Sequence, residues 1–223
     1  LEARKRGLDV ALQNVSNAKN ILNVAEGGYQ AQMDILQTVK EKATQAADFS
    51  LSDAQRTAID DQVTALLNEI DDIAEETTFN DNALIDGNYQ GSFQTGENSS
   101  DQISVSLAQS DSAAVGANAT DVSSIDLSTA SGAQTAIDTV SSAIDSLSGA
   151  IQDIGEYKVR LNSKETSLST ASTNTEAGRS SVEDADFAKE QMEVMKSQIM
   201  QQTALSSFSQ ANSSPQSVLS LFG

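Results

Sequence analysis

The sequence predicts a mainly α-helical fold: a long helical-bundle or coiled-coil rod carrying a small β-hairpin, with a C-terminal helical segment after it. Three observations predict this. Apolar residues recur at heptad spacing over long stretches at both ends of the chain. The one proline among 223 residues is Pro215, and proline inside a helix costs about 3 kcal/mol, so long helices are allowed before it. Apolar residues make up 38% of the chain but aromatics only 4%, which describes a core of small and aliphatic side chains suited to close helix packing.

The first helix is expected over 1–47. Leu8, Val15, Leu22, Tyr29, Leu36 and Ala43 recur every seven residues, with Ala11, Ala18, Ala25, Val39 and Ala46 three positions on. Gln32 is the break in the second row. Large residues in one row and alanines in the other form a seam that lets a partner approach closely, along a helix about 65–70 Å long at 1.5 Å per residue. Gly27-Gly28 in its middle points to close packing or a bend.

Phe49-Ser50-Leu51 breaks the pattern, and Ser52-Asp53-Ala54-Gln55 reads as a capping box. A second helix follows on Ile59, Val63, Leu66, Ile70, Ile73 and Thr77 and ends near Thr78. Phe79 to Gly87 is turn chemistry with apolar anchors. Residues 88–107 read as a hairpin, with Ser92-Phe93-Gln94 in one strand and Ile103, Val105 and Leu107 alternating in the other. The Ser/Ala/Asp-rich stretch 108–131 reads as an exposed connector, either a flexible linker or a short ordered wrap.

Ser131-Gly132-Ala133-Gln134 reads as a second capping box, opening a third helix. Val140, Leu147, Ile154, Leu161 and Leu168 form one row of its seam, and Ile137, Ile144 and Ile151 part of the other. Gly178 marks a joint over 179–183, after which Ser180 opens a last helix with Phe187, Met192, Met195, Ile199, Leu205 and Phe208. Pro215 suits the first turn of a short terminal helix ending in Val218, Leu219, Leu221 and Phe222. The residues themselves give a helical rod up to the joint after Gly178, with a hairpin at 88–107 and a connector at 108–131, and a last helix beyond the joint.

Composition excludes several functions. With no Cys and no His there is no thiol nucleophile, imidazole base, zinc ligand set of the usual kinds or disulfide framework. A net charge of 13 − 32 = −19 opposes nucleic-acid binding and attraction to an anionic membrane surface. No basic residue lies between Arg56 and Lys158, a stretch holding eighteen Asp and Glu. Its carboxylates are scattered and form no calcium loop, so neither metal nor cofactor is assigned, and a solvated acidic surface is the reading adopted. Glu75 and Glu76 are adjacent and diverge on a helix, so they do not form the carboxylate pair of a glycosidase. No apolar run of 18 residues exists to span a membrane, and no basic-then-apolar signal peptide opens the chain. Its start, Leu1-Glu2-Ala3-Arg4-Lys5-Arg6, reads as the middle of a helix, and a fragment is expected.

Ala25-Glu26-Gly27-Gly28-Tyr29 with Leu36-Gln37 and Gln45-Ala46-Ala47 resembles the first long helix of the inner shaft domain of bacterial flagellins. Leu67-Asn68-Glu69-Ile70-Asp71, Thr78-Phe79-Asn80 and Leu84-Ile85-Asp86-Gly87 resemble the segment that follows it. Val182 to Ala188, Gln198-Ile199-Met200-Gln201-Gln202, Gln210-Ala211-Asn212, Pro215-Gln216 and Val218 to Leu221 are similar to the family's C-terminal signature. The ordered set covers nearly the whole chain.

The resemblance implies a structural subunit of the flagellar filament and no enzyme. It implies an inner shaft domain over 1–178, a joint at 179–183 and a C-terminal core segment over 184–223, a minimal shaft-and-core type without the family's N-terminal core helix. Leu8, Val15, Leu22, Leu36, Ile70, Leu147, Ile154 and Leu161 would pack the shaft. Phe187, Met192, Met195, Ile199, Leu205, Phe208, Val218, Leu219 and Leu221 would pack the filament core or bind an export chaperone. Implied partners are copies of the chain, that chaperone, the flagellar type III export machinery, and the filament cap and junction proteins. The protein would be cytoplasmic with its chaperone before export and extracellular in the filament afterwards. A hook–filament junction protein of the same plan is the alternative. Gln37, Thr38, Glu41, Lys42 and Gln62 occupy the segment that the mammalian Toll-like receptor reads in strongly detected flagellins. Thr38 stands where an arginine is usual, Lys42 where a leucine is, and Gln62 where a glutamate is. Weak or absent receptor activation is expected.

Overall fold

The computed structural model describes residues 1–219. Two compact units are defined, one formed by Arg6–Ala171 and the other by Leu1–Lys5 with Ser172–Gly223. The fold class is as expected: long helices with small antiparallel strand pairs. Helix α1 spans Glu2–Ala46 and α2 spans Asp53–Glu76. Three two-residue-to-five-residue strand pairs follow: β1 (Thr78–Phe79) with β2 (Asn82–Ala83), β3 (Gln90–Gln94) with β4 (Gln102–Ser106), and β5 (Ser110–Asp111) with β6 (Ala114–Val115). Helix α3 spans Ala130–Leu219.

Every residue of the two α1 rows is buried, including all six of the large row and all five of the other. Gln32 is buried too, and its polar head is satisfied: Nε2 donates to the carbonyls of Ile70 (3.0 Å) and Ser110 (2.6 Å), and Oε1 accepts from Ser110 Oγ (2.5 Å). The break in the heptad is therefore a junction of α1, α2 and β5. One turn earlier, Tyr29 donates its hydroxyl to Ala108 O at 2.6 Å, and burial pushes its phenol well above its ordinary range, so it stays protonated.

Three boundaries differ from expectation. The buried seam of α2 is Ile59, Val63, Leu67, Ile70 and Ala74, with Leu66 and Ile73 on its half-buried flank. In α3 the second row is Ala136, Ala143 and Ala150, one position before the isoleucines, because methyl groups let helices approach where Ile137, Ile144 and Ile151 fit only at the margin. Its first turn is capped by Thr129, whose Oγ1 accepts from Gly132 N–H, and not by Ser131.

Residues 179–183 are helical, so neither a joint at Gly178 nor a separate helix at Pro215 interrupts α3 before Leu219. A glycine costs only about 1 kcal/mol in a helix. Side chains on either side of Gly178 offset that, since Arg179 bridges Glu176 (2.5 Å) and Glu183 (2.6 Å) at helical spacing.

The connector is an ordered wrap. Val115, Val122 and Leu127 are fully buried. Asp71 accepts from Ser112 N–H (2.6 Å) and Oγ (2.9 Å), and Asp60 accepts from Leu127 N–H (2.8 Å). Buried Ser146 on α3 donates to Val115 O and accepts from Asn118 N–H, both at 2.7 Å. Gly116 has φ +70°, and a Cβ there would lie 2.5 Å from the backbone of Ser146, so only glycine permits this approach. Two of the acids in the basic-free stretch therefore serve as anchors for connector backbone and are not merely solvated.

Candidate functional site

Among the described residues no three His, Cys, Asp or Glu side chains converge to hold a metal, and no helix is long and apolar enough to cross a membrane. The surfaces that stand out are apolar and exposed.

Within the second unit, α3 presents Val182, Phe187, Met192, Val194, Met195, Ile199, Met200, Leu205 and Phe208 to solvent, with Phe187 72% and Phe208 71% exposed. At about 100° per residue these do not form one face. Met192, Met195 and Ile199 cluster within an arc of about 60°, Phe187, Val194, Leu205 and Phe208 within a second arc of about 60° centred some 130° away, and Val182 and Met200 lie between the two. The six residues expected here up to Phe208 are all exposed; Leu221 and the side chains of Val218 and Leu219 lie outside the described residues. Fully burying one such side chain is worth about 1.5–3 kcal/mol, so a helix with two stripes favours neighbours on more than one side.

The eight shaft residues, Leu8, Val15, Leu22, Leu36, Ile70, Leu147, Ile154 and Leu161, are all buried in one core cluster. In the segment on α1 and α2, Lys42 Nζ donates to Gln62 Oε1 at 2.8 Å, Gln37 and Glu41 are exposed, and Thr38 returns its hydroxyl to Asp34 O.

Sequence reasoning missed Arg56. It is buried, donating to the carbonyls of Ala46 (Nε, 2.9 Å), Leu51 (Nη1, 2.9 Å) and Asp48 (Nη2, 2.7 Å), and so closes the C-terminal end of α1. The signal available was its isolation as the last cation before the acidic stretch. Lys158 pairs with Glu26 and Lys19 with Glu165 (2.9 Å), tying α1 to α3 where the apolar seam of α3 turns polar.

These features describe a long-helical protein with a buried aliphatic core and an exposed apolar surface on its last helix. The description of the bacterial flagellin N-terminal helical region matches residues 1–90, and that of the bacterial flagellin C-terminal helical region matches residues 137–222. The chain is 31% identical over 222 residues to a flagellin of Halalkalibacterium halodurans, covering 99% of this chain and 80% of that one. It is 32% identical over 233 residues to flagellin FlaB1 of Treponema pallidum, covering 99% and 82%. A crystal structure of Bacillus cereus flagellin shares the fold at TM-score 0.53 and 22% identity, covering 73% of this chain and 88% of that chain. A flagellar hook-associated protein of Vibrio parahaemolyticus shares it at TM-score 0.66 and 11% identity, covering 79% and 91%.

The chain belongs to the bacterial flagellin family, the structural subunits of the flagellar filament that self-assemble outside the cell. The family's N-terminal helical region is carried by residues 1–90, and nothing in that match marks out a type lacking an N-terminal core helix.

Proposed function

We propose that the two exposed stripes of α3 are the surface by which the chain is held, first by an export chaperone in the cytoplasm and then by neighbouring copies in the filament core. The observation that carries this is their exposure: large apolar side chains of Phe187 to Phe208 face solvent on two sides of one helix. Water is a poor resting state for such a helix. A chaperone that covers either stripe keeps the chain monomeric, because polymer and chaperone compete for the same side chains. The export machinery and the cap and junction proteins are the further partners of this route. The shaft domain spans 1–178 in this reading, with the C-terminal core segment beyond it.

Calorimetric titration of the chain with the purified flagellin chaperone tests the proposal. Wild type binds one to one, and Met195→Asp with Ile199→Asp weakens binding at least a hundredfold. Equal affinity of the double variant and wild type would refute the assignment. Relatives at 31–32% identity are flagellins, whereas the hook-associated likeness is one of fold, which favours a filament subunit over a junction protein.

A further inference from the structure

The chain has four methionines and no Cys, His or Trp. Thioethers are therefore the side chains that mild two-electron oxidants attack most readily here. Met33 is half-buried and packs against the core of the first unit. The other three lie close together on α3, where Met192 is 63%, Met195 55% and Met200 56% exposed. Susceptibility follows exposure, so an oxidant in solution meets these three first.

The sulfur is unevenly placed around the helix. Met192 and Met195, at i and i+3, supply two of the three residues of one apolar arc, with Ile199 as the third. The other arc, Phe187, Val194, Leu205 and Phe208, holds no sulfur at all. A sulfoxide exchanges a flexible apolar thioether for a polar S=O group. In water that group is solvated. Beneath a partner with no donor to offer, it is an unmet polar atom. Oxidation therefore leaves one apolar face of α3 intact and turns most of the other polar.

We propose that Met192 and Met195 form an oxidation-sensitive contact face: hydrogen peroxide converts them to sulfoxides on the free subunit and blocks its incorporation, whereas burial under a neighbouring copy protects them. Each conversion is a two-electron oxidation of sulfur. The sulfur lone pair attacks one oxygen of the peroxide, and the S–O bond forms as the O–O bond breaks. The departing hydroxide takes the proton from the transferred hydroxyl and leaves as water, so one peroxide is reduced for each sulfoxide made. Methionine sulfoxide reductases, one for each epimer, return the thioether. This rests on the reading that α3 is covered by neighbouring copies in the filament.

The full-length native protein is treated with hydrogen peroxide as monomer and, separately, as filament. Peptide mass spectrometry of the monomer finds one added oxygen at Met192, Met195 and Met200 well before Met33, and filaments gain little at Met192 and Met195. Oxidised monomer, with unchanged circular dichroism, needs on the order of a hundredfold higher concentration to assemble, about tenfold for each partnerless sulfoxide. The reductases restore it. Met192→Leu with Met195→Leu keeps the apolar bulk without the sulfur and assembles alike before and after peroxide, although its Met200 is still oxidised. Met200→Leu and Met33→Leu stay as sensitive as wild type. Unchanged assembly of oxidised wild type, equal sensitivity of M192L/M195L, or equal oxidation rates in monomer and filament overturns the proposal. Met195→Asp with Ile199→Asp separates it from the reading beneath it. If that variant assembles like wild type, or wild type itself stays monomeric, both fall. If it fails to assemble while oxidised wild type succeeds, the oxidation-sensitive face falls alone.

Discussion

Lys42 and Gln62 join α1 to α2 at the surface, the ammonium donating to the amide oxygen across 2.8 Å. On the family resemblance, the pair would stand where a receptor-detected flagellin carries a leucine and a glutamate. A hydrated ammonium replaces an apolar anchor, and its partner amide carries no charge. Thr38, one turn back, spends its hydroxyl on Asp34 O within its own helix.

Restoring those groups tests the receptor reading. Wild type is expected to activate Toll-like-receptor reporter cells weakly or not at all. Combined Thr38→Arg, Lys42→Leu and Gln62→Glu is expected to raise potency at least thirtyfold, since an interface anchor is worth about 2 kcal/mol or more. Dose–response curves that superimpose for the two proteins would exclude the patch as the determinant.

The Gln32 junction makes a stability prediction. Gln32→Leu keeps the volume but leaves Ser110 and the Ile70 carbonyl without their partner in a buried site. Unsatisfied buried polar groups cost about 1–3 kcal/mol, so the variant should lose about 2–3 kcal/mol in urea denaturation. Adding Ser110→Ala should cost clearly less in the Gln32→Leu background than in wild type, because the two side chains share one network. Additive losses would contradict the coupling.

How much of this was legible before the fold was known depended on the range of each interaction. The α1 rows from Leu8 to Ala46 and the α3 row from Val140 to Leu168 repeat locally, so periodicity alone locates them. The choice between Leu66 and Leu67, or between Ile144 and Ala143, is set by which neighbour arrives and how closely, and a single row of letters does not carry it. The connector was legible least. Its order comes from Gln32, Asp60, Asp71 and Ser146, which lie 28 to 78 residues from their partners in the chain. Arg56 shares that limitation: it reads as one charge among thirteen until the turn brings the carbonyls of Ala46, Asp48 and Leu51 to it.

Acid should weaken the unit that contains Glu176. Hydrogen bonds from Arg179 and then from Lys5 (3.1 Å) hold its carboxyl at about 2, against about 4.3 for an unperturbed glutamate. A depressed folded-state value stabilises the fold above the unfolded one and loses that contribution as pH falls from about 4.3 through about 2. Asp48, Asp86, Asp101, Asp121 and Asp126 are shifted the same way by hydrogen bonds from Ser50, Asn88, Asn98, Ser123 and Ser128. Melting temperature should therefore drop between pH 4.5 and 2 in wild type, and less steeply in Glu176→Gln, which should already melt lower at pH 7. Parallel curves for the two proteins would show that the Glu176 bridges contribute nothing measurable.

The adjacent glycines of α1 should respond oppositely to the same substitution. A Cβ on Gly27 meets nothing within 4 Å, whereas one on Gly28 would lie 2.6 Å from Thr77 Oγ1 and 3.1 Å from Ile85 Cδ1. Thr77 cannot swing aside cheaply, since its hydroxyl donates to Ile73 O at 2.6 Å and its backbone N–H to the same carbonyl at 3.0 Å. Helix propensity alone favours alanine over glycine by about 0.8–1 kcal/mol at either site. Gly27→Ala should realise most of that gain. Gly28→Ala should forfeit it and add an overpacking cost of about 1–3 kcal/mol by pushing the end of α2 away. Denaturant midpoints measured side by side decide the matter. Stabilisation by both substitutions would mean that α1 accommodates a methyl group at Gly28, and that the close approach of Thr77 is not what fixes glycine there.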